Sequence, residues 1–278
     1  MISRVLICIP IFLFSFFSRS QSWKLSDELK EISGLEFLND SILIAHNDGG
    51  NPTELFLLNL KGEIIKKVSV SNVKNVDWED ITSDDEFIYI GDIGNNLNKR
   101  KDLKIYRIEK SDLMEKETVN AKSMQISYAD QLAFPPDDVH KTFDSECLIA
   151  ALGDLWIFSK NRTVPFDGIC KVYRFKFEAG NEKQISVFTQ ITIGNSGWQF
   201  DSVTAGDFEN NKFYLSTYNR WISYELKNNS LEQLHKKNYS EYNQKEALVI
   251  DSKSNSLFVA NEFNKLLGKQ KLKKIKLK

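Results

Sequence analysis

Apolar residues along this chain come in short runs of four to eight, rich in Ile, Val, Leu, Phe and Tyr, and clusters of Asn, Asp, Gly and Ser divide them. That alternation predicts strands joined by tight turns. Long stretches of helical periodicity are missing; "EKSDLMEKETVNA" comes nearest and reads as a connecting loop. Proline is scarce, with 5 residues in the chain, which suits strands paired on both sides.

The runs repeat. "SGLEFLNDSILIAHND", "EDITSDDEFIYIGDIG", "ECLIAALGDLWIFSKN", "SVTAGDFENNKFYLSTYN" and "EALVIDSKSNSLFVANE" can be laid over one another. Each opens on a polar residue, continues as an apolar strand, turns, and returns as a second strand that ends in a polar residue. The opening positions are Ser33, Glu79, Glu146, Ser202 and Glu246, and the closing ones His46, Asp92, Lys160, Thr217 and Asn261. Successive openings are 46, 67, 56 and 44 residues apart, room for two more strands and a loop in each unit. Further runs such as "ELFLLNL", "LKIYRIEK", "CKVYRFKF" and "WISYEL" supply them. Four antiparallel strands repeated at this period predict a propeller blade. The fifth unit has only three strands before the chain stops, and "SWKLSDEL", Ser22–Leu29, can supply its fourth. The fold expected is all-β, a β-propeller of five four-stranded blades closed by an N-terminal strand, forming one domain over 23–278. The 67-residue unit leaves six blades as the alternative.

In such a ring the first strand of each blade lines the central channel, and the second runs back to the same face. Ser33, Glu79, Glu146, Ser202 and Glu246 should therefore share one rim, each beside its closing partner. Three glutamates at a narrow mouth raise one another's pKa unless positive charge compensates. Lys160 and Arg162 can provide it, or a hard cation such as Ca²⁺, which takes six to eight oxygen ligands. The metal-ligand candidates are thus Glu79, Asp92, Glu146 and Glu246. Ser33, His46, Asp92, Lys160, Arg162, Ser202, Thr217 and Asn261 are the ligand-binding candidates. Catalytic candidates are Glu79, Glu146 and Glu246, with His46 as a general base. The plain reading stands beside each: polar residues here can cap a neighbouring blade's backbone, and His46 can be a hydrogen-bonded structural histidine. "GDIGNN" reads as a tight turn or as a ligand cradle.

Charge excludes one class of partner. Lys plus Arg number 37 against 38 for Asp plus Glu, a balance that gives no reason to expect nucleic acid, whose phosphates call for a net basic face. The three histidines show no zinc spacing, and no nucleotide-binding or serine-hydrolase fingerprint occurs. At the N-terminus, Arg4 precedes an apolar run from Val5 to Phe17 and small residues at Ser18, Ser20 and Ser22. The run is short of the ~20 residues of a membrane span and reads as a signal peptide over 1–22. Export to the periplasm or the extracellular space follows, with no membrane attachment after cleavage. The mature chain is read as a monomer whose partner is a small polar molecule or a protein. Cys147 and Cys170 fall on the first and third strands of one blade, roughly 9–10 Å apart and beyond disulfide reach, so two free buried thiols are expected.

The strings "SGLEF…HNDGG", "DWEDIT…YIGDIGNN…KR…IYRIE", "FDSECLIA…LWIFSKNR…KVYRF" and "KEALVID" resemble exported bacterial propellers. They look related to the family described as having esterase-like activity of phytase, and more distantly to NHL-type propellers. The likeness runs from about Ile32 to Glu262. It implies a propeller and an ester or phosphoester hydrolase, with Glu79, Asp92, Glu146 and Glu246 at the motif positions. Ser33 and Ser202 stand where the other units carry Glu, which leaves the acidic ring incomplete. Three functions result: a propeller binding a ligand or protein at its mouth, a Ca²⁺-assisted phosphoester hydrolase, or a glycosidase. The last would need a carboxylate pair roughly 5–9.5 Å apart.

Overall fold

The computed structural model describes residues 21–277 and is a five-bladed propeller. The predicted signal peptide lies outside these residues except for Gln21 and Ser22, which already belong to a strand. The innermost strands are Ile32–Asn39, Trp78–Ser83, Asp144–Ala151, Ala205–Glu209 and Lys245–Asp251, one per blade. The fifth blade is completed as predicted: Gln21–Lys24 pairs antiparallel with Lys271–Lys276, Trp23 opposite Leu272. Closure in this way removes two open edges.

The 67-residue unit holds no sixth blade. After the third strand of blade two it forms a short helix, Lys110–Glu115. The two-residue strand Thr118–Val119 then adds in parallel to the outer edge of blade one. Strand Lys122–Tyr128 follows as the fourth strand of blade two, and Glu182–Ile185, from blade three, adds to it in parallel. The extra residues of this unit are thus the helix, one clasp onto blade one and a long loop over 129–143 on the rim side, and a second clasp comes from blade three.

Alternation along each strand builds five apolar layers, one between each pair of blades. Along Ile42–Asn47, Leu43 and Ala45 face blade five while Ile44 faces blade two. Trp78, Trp156, Tyr173, Phe158, Phe213 and Phe258 are fully buried in these layers. Each such side chain contributes about 1.5–3 kcal/mol on burial, so the layers and not the polar rim hold the ring together. Cys147 and Cys170 are both free and buried, as expected.

Inner-strand carboxylates tie the blades together lower in the channel. Asp80 accepts from the backbone N–H of Leu148 on blade three at 2.9 Å, and Asp207 from that of Ile250 on blade five at 2.7 Å. A cavity of about 450 Å³ opens at this opposite face, lined in part by Glu36, Ser83, Lys110 and Asp207. Glu36 and Asp207 are engaged there with backbone amides.

Candidate functional site at the acidic rim

The leading residues meet the rim through a shared irregularity. Ser33, Glu79, Glu146 and Glu246 are each skipped in the pairing of the first two strands of their blades. Glu79, for example, falls between the pairs Trp78–Asp92 and Asp80–Gly91. Each is therefore the extra residue of a β-bulge, a device that re-aims one side chain while the strand continues. Ser202 lies just ahead of its strand, after the short helix Trp198–Asp201.

On the side of blades one and two the rim is acidic and uncompensated. Asp48, Asp77 and Glu79 each present a carboxylate oxygen, and the three oxygens lie within 4.8 Å of one another. Glu79 is 5% exposed, and among the described residues its carboxylate has neither hydrogen-bond donor nor ion-pair partner. Two glycines leave the space. A Cβ on Gly94 would stand 2.1 Å from Glu79 Oε1 and 2.4 Å from Asp77 Cγ, and one on Gly49 2.6 Å from Asp77 Oδ1. Burial, reinforced by Glu146, Asp48, Asp144 and Asp77, holds the Glu79 carboxyl well above its ordinary pKa. Burial first, and the neighbouring carboxylates after it, raise Asp48 to about 7 and Asp77 to about 6. Glu262 belongs to the same arc: burial, then Glu246 and Asp48, push it up to about 9.

The donor set fits a hard divalent cation. It consists of oxygens only, and their spread lies inside the ~5 Å that separates opposite ligands of a Ca²⁺ ion at 2.3–2.6 Å each. A cation there would supply the positive charge that the arc lacks.

Toward blades three and four the charges are compensated. Lys160, 2% exposed, is ion-paired with Glu146 and lies 3.1 Å from the hydroxyl of Tyr218. Burial alone would depress the Lys160 pKa, but Glu146 and Glu246 raise it above its ordinary value. Arg162 donates to Asp144 at 2.7 Å and to Glu146 at 3.4 Å, also bonds Asn96, and stacks over Trp198 at 5.1 Å. The hydroxyl of Tyr218 donates to Glu246 at 2.6 Å.

The sequence-derived metal set is thus divided. Glu79 alone of the four belongs to the cluster. Glu146 is occupied by Lys160 and Arg162, and Glu246 by Tyr218. Asp92 is buried beneath the rim, ion-paired with Arg100 at 2.8 Å, and accepts from the backbone N–H of Asp77 at 3.0 Å, so it positions a rim residue. Asp48, Asp77 and Glu262 complete the acidic arc and are absent from the sequence-derived candidates. Asp48 stands in "HND" and Asp77 opens "DWEDI", so the motifs are the signal that could have found both aspartates.

His46 does not reach the mouth. It is fully buried, with Nδ1 3.0 Å from the carbonyl of Asn47 and its ring edge-on to Trp78 at 5.5 Å. Burial lowers its pKa to about 4, so it stays neutral. The physical reason is register: Asn47, not His46, is opposite Ile32. On blade three the shift is the other way, with Ser159 opposite Ser145 and Lys160 one residue further. The remaining polar candidates serve backbone groups or turns. Ser33 donates to the carbonyl of Glu79 at 2.6 Å and Ser202 to that of Asn161 at 3.0 Å. Thr217 closes a turn through Asn219 at 2.8 Å, and Asn261 donates to the carbonyls of Glu262 and Lys269 at 2.8 and 3.2 Å.

"GDIGNN" is the loop that sets this geometry. Asn95 receives Arg100 N–H on its side-chain oxygen, donates its amide to the carbonyl of Phe143, and its own N–H meets Asp144 at 2.8 Å. Blade two is thereby locked to blade three directly under the cluster.

No family model and no curated protein matches the chain, so the family resemblance rests on its motifs. Solved structures do match. Glutaminyl cyclase from Myxococcus xanthus superposes with a TM-score of 0.56 at 9% identity, covering 91% of this chain and 93% of that one. A putative oxidoreductase (glucose dehydrogenase) from Thermus thermophilus gives 0.50 at 9% identity, covering 92% and 100%. At such identities the likeness is one of architecture: this chain shares the β-propeller fold of those proteins.

Proposed function

We propose that this chain is an exported propeller that binds a small polar ligand at its acidic rim, with a divalent cation of the Ca²⁺ type as part of the site. The observation that carries the reading is Glu79, a buried carboxylate without a partner among the described residues, beside Asp48 and Asp77. An isolated buried carboxylate is costly unless it is neutralised, and three of them with converging oxygens are well suited to a cation. Export to the periplasm or extracellular space rests on the leader-like segment expected over 1–22. The resemblance to phytase-like propellers adds support, because Asp77, Glu79, Asp92 and Gly94 all fall within "DWEDI" and "GDIGNN".

Calorimetric titration of the purified mature chain with Ca²⁺ tests this. One bound ion is expected, lost in Glu79→Gln and Asp77→Asn. A wild-type protein that takes up no divalent cation overturns the reading.

A second reading, phosphoester or ester hydrolysis, is favoured by Glu262. Its raised pKa keeps a proton on that carboxyl at neutral pH, next to Glu246. Glu262 would donate that proton to a leaving oxygen, and Lys160 and Arg162 would orient an anionic group. A cation on Asp48, Asp77 and Glu79 would supply Lewis-acid polarisation. A screen of aryl phosphates and aryl esters with Ca²⁺ present checks it; turnover abolished by Glu262→Gln supports it, and absence of turnover eliminates it.

A further inference from the structure

Exposed apolar side chains are not scattered over the molecule. Among the described residues, all the large ones except Ile65, Met114 and Leu152 sit on the inter-strand connections of the rim face, Trp198 and Phe200 in the short helix there. Of the five aromatic ones, Trp198, Phe200 and Tyr242 join directly to the mouth. Tyr218, whose hydroxyl holds Glu246 and meets Lys160, lies 6.3 Å from the ring of Tyr242, and Tyr242 lies 5.5 Å from that of Phe200. Trp198, two residues before Phe200, packs one side on Arg162. Trp198, Phe200 and Tyr242 remain 41%, 38% and 37% exposed. The shelf is braced from below by Lys245, which is 2% exposed and donates to the carbonyls of Tyr218 and Glu241 at 3.0 and 2.8 Å.

Aromatic rings anchor protein and sugar ligands alike, so the groups beside the rings decide between them. Here flat rings adjoin a polar floor, the engaged carboxylates of Glu146 and Glu246 with Lys160 and Arg162, which continues into the uncompensated arc of Asp48, Asp77 and Glu79. That combination suits a ring with apolar C–H faces and a hydroxylated edge. The faces stack on aromatic rings, while the hydroxyls donate to carboxylates or coordinate a hard cation. We infer that the ligand of the rim is a carbohydrate chain. One pyranose unit would sit at the carboxylate mouth, and the next would lie on the shelf of Trp198, Phe200 and Tyr242. The inference rests on the proposed rim site for its position, and on the aromatic shelf for its chemistry.

The test is calorimetric titration with a panel of hexasaccharides, three neutral (cello-, malto- and chitohexaose) and one acidic (hexagalacturonate), each with Ca²⁺ and with chelator. Wild type should bind at least one with a dissociation constant below about 1 mM. Trp198→Ala and Tyr242→Ala should each weaken that binding about tenfold or more, with Ca²⁺ uptake unchanged. Binding of neutral members only, or of the acidic one only, tells which sugar the mouth accepts. Saccharide binding that survives chelation but needs the shelf upholds the carbohydrate inference and removes the cation from it. Ca²⁺ uptake with no saccharide bound by wild type, or saccharide binding indifferent to both substitutions, overturns the inference and leaves the cation reading standing.

Discussion

Gly94 is packed against Glu79 so closely that a single added methyl group would stand 2.1 Å from the carboxylate oxygen. The backbone there has no left-handed conformation to explain a glycine; space for the carboxylates does. Gly94→Ala should push Glu79 and Asp77 apart. Because the displaced atoms end flexible side chains, the fold should survive. The expected result is a loss of at least tenfold in Ca²⁺ affinity with a nearly unchanged thermal midpoint, read by calorimetry and circular dichroism.

Stability should depend on pH in an unusual direction. Asp48, Asp77 and Glu262 have folded pKa values of about 7, about 6 and about 9, all above ordinary carboxyl values. Between the ordinary and the raised value the folded state binds more protons than the unfolded one, so stability falls as pH rises. The contribution is fully present below pH ~4, falls from there as pH rises, and is gone only above about pH 9. Without divalent cations, the thermal midpoint should therefore drop from pH 5 to pH 9 by several degrees. Added Ca²⁺ should restore it, most strongly at high pH, where the ligands are ionised. Differential scanning calorimetry with and without chelator reads both effects; a midpoint that rises with pH in chelator contradicts the charge assignment.

Arg100 shields Asp92, a carboxylate that is 1% exposed. Removing one partner of a buried pair leaves an uncompensated charge, at a cost of about 3–5 kcal/mol. Arg100→Met should accordingly lower the urea midpoint sharply. Adding Asp92→Asn to it should recover part of the loss, a coupling that a surface arginine would not show.

His46 provides a negative control. Its ring fills space between Gly34 and Trp78, and a Cβ on Gly34 would lie 2.5 Å from Nε2. His46→Ala should destabilise the chain by about 2–4 kcal/mol through the void it leaves. Ca²⁺ uptake by the folded variant should match that of wild type.

The repeat exposes the architecture because each blade is one unit with one hydrophobic rhythm. Five leading positions, the closing strand and the separated cysteines all follow from it. The ligand cluster obeys no such rhythm. Asp48 follows the second strand of blade one, Asp77 precedes the first strand of blade two, and the packing of one blade on the next brings them together. Stacking the repeats compares columns within blades, whereas this site lies between blades. Bulges add a second difficulty. Blade one carries a second bulge, between Phe37 and Asn39, which blades two and three lack, so matching the repeats along the chain places His46 one residue early and Lys160 one late. Carboxylate roles are equally hidden, since Glu146 and Glu79 occupy matching positions and differ in whether basic side chains, here Lys160 and Arg162, answer them.

Joining Trp23 to Leu272 also dictates an order of events. The earliest strand in this part of the chain cannot find its neighbour until nearly everything else has been made. Blades one to four can form from local hairpins, but the last seam waits for contacts between opposite ends, the slowest kind to assemble. Asp48 and Asp77 need not wait for that seam, because they lie on consecutive blades and the Asn75 amide already bonds the carbonyl of Asp48 at 2.8 Å; Glu262, on the fifth blade, can join their arc only once the circle is finished.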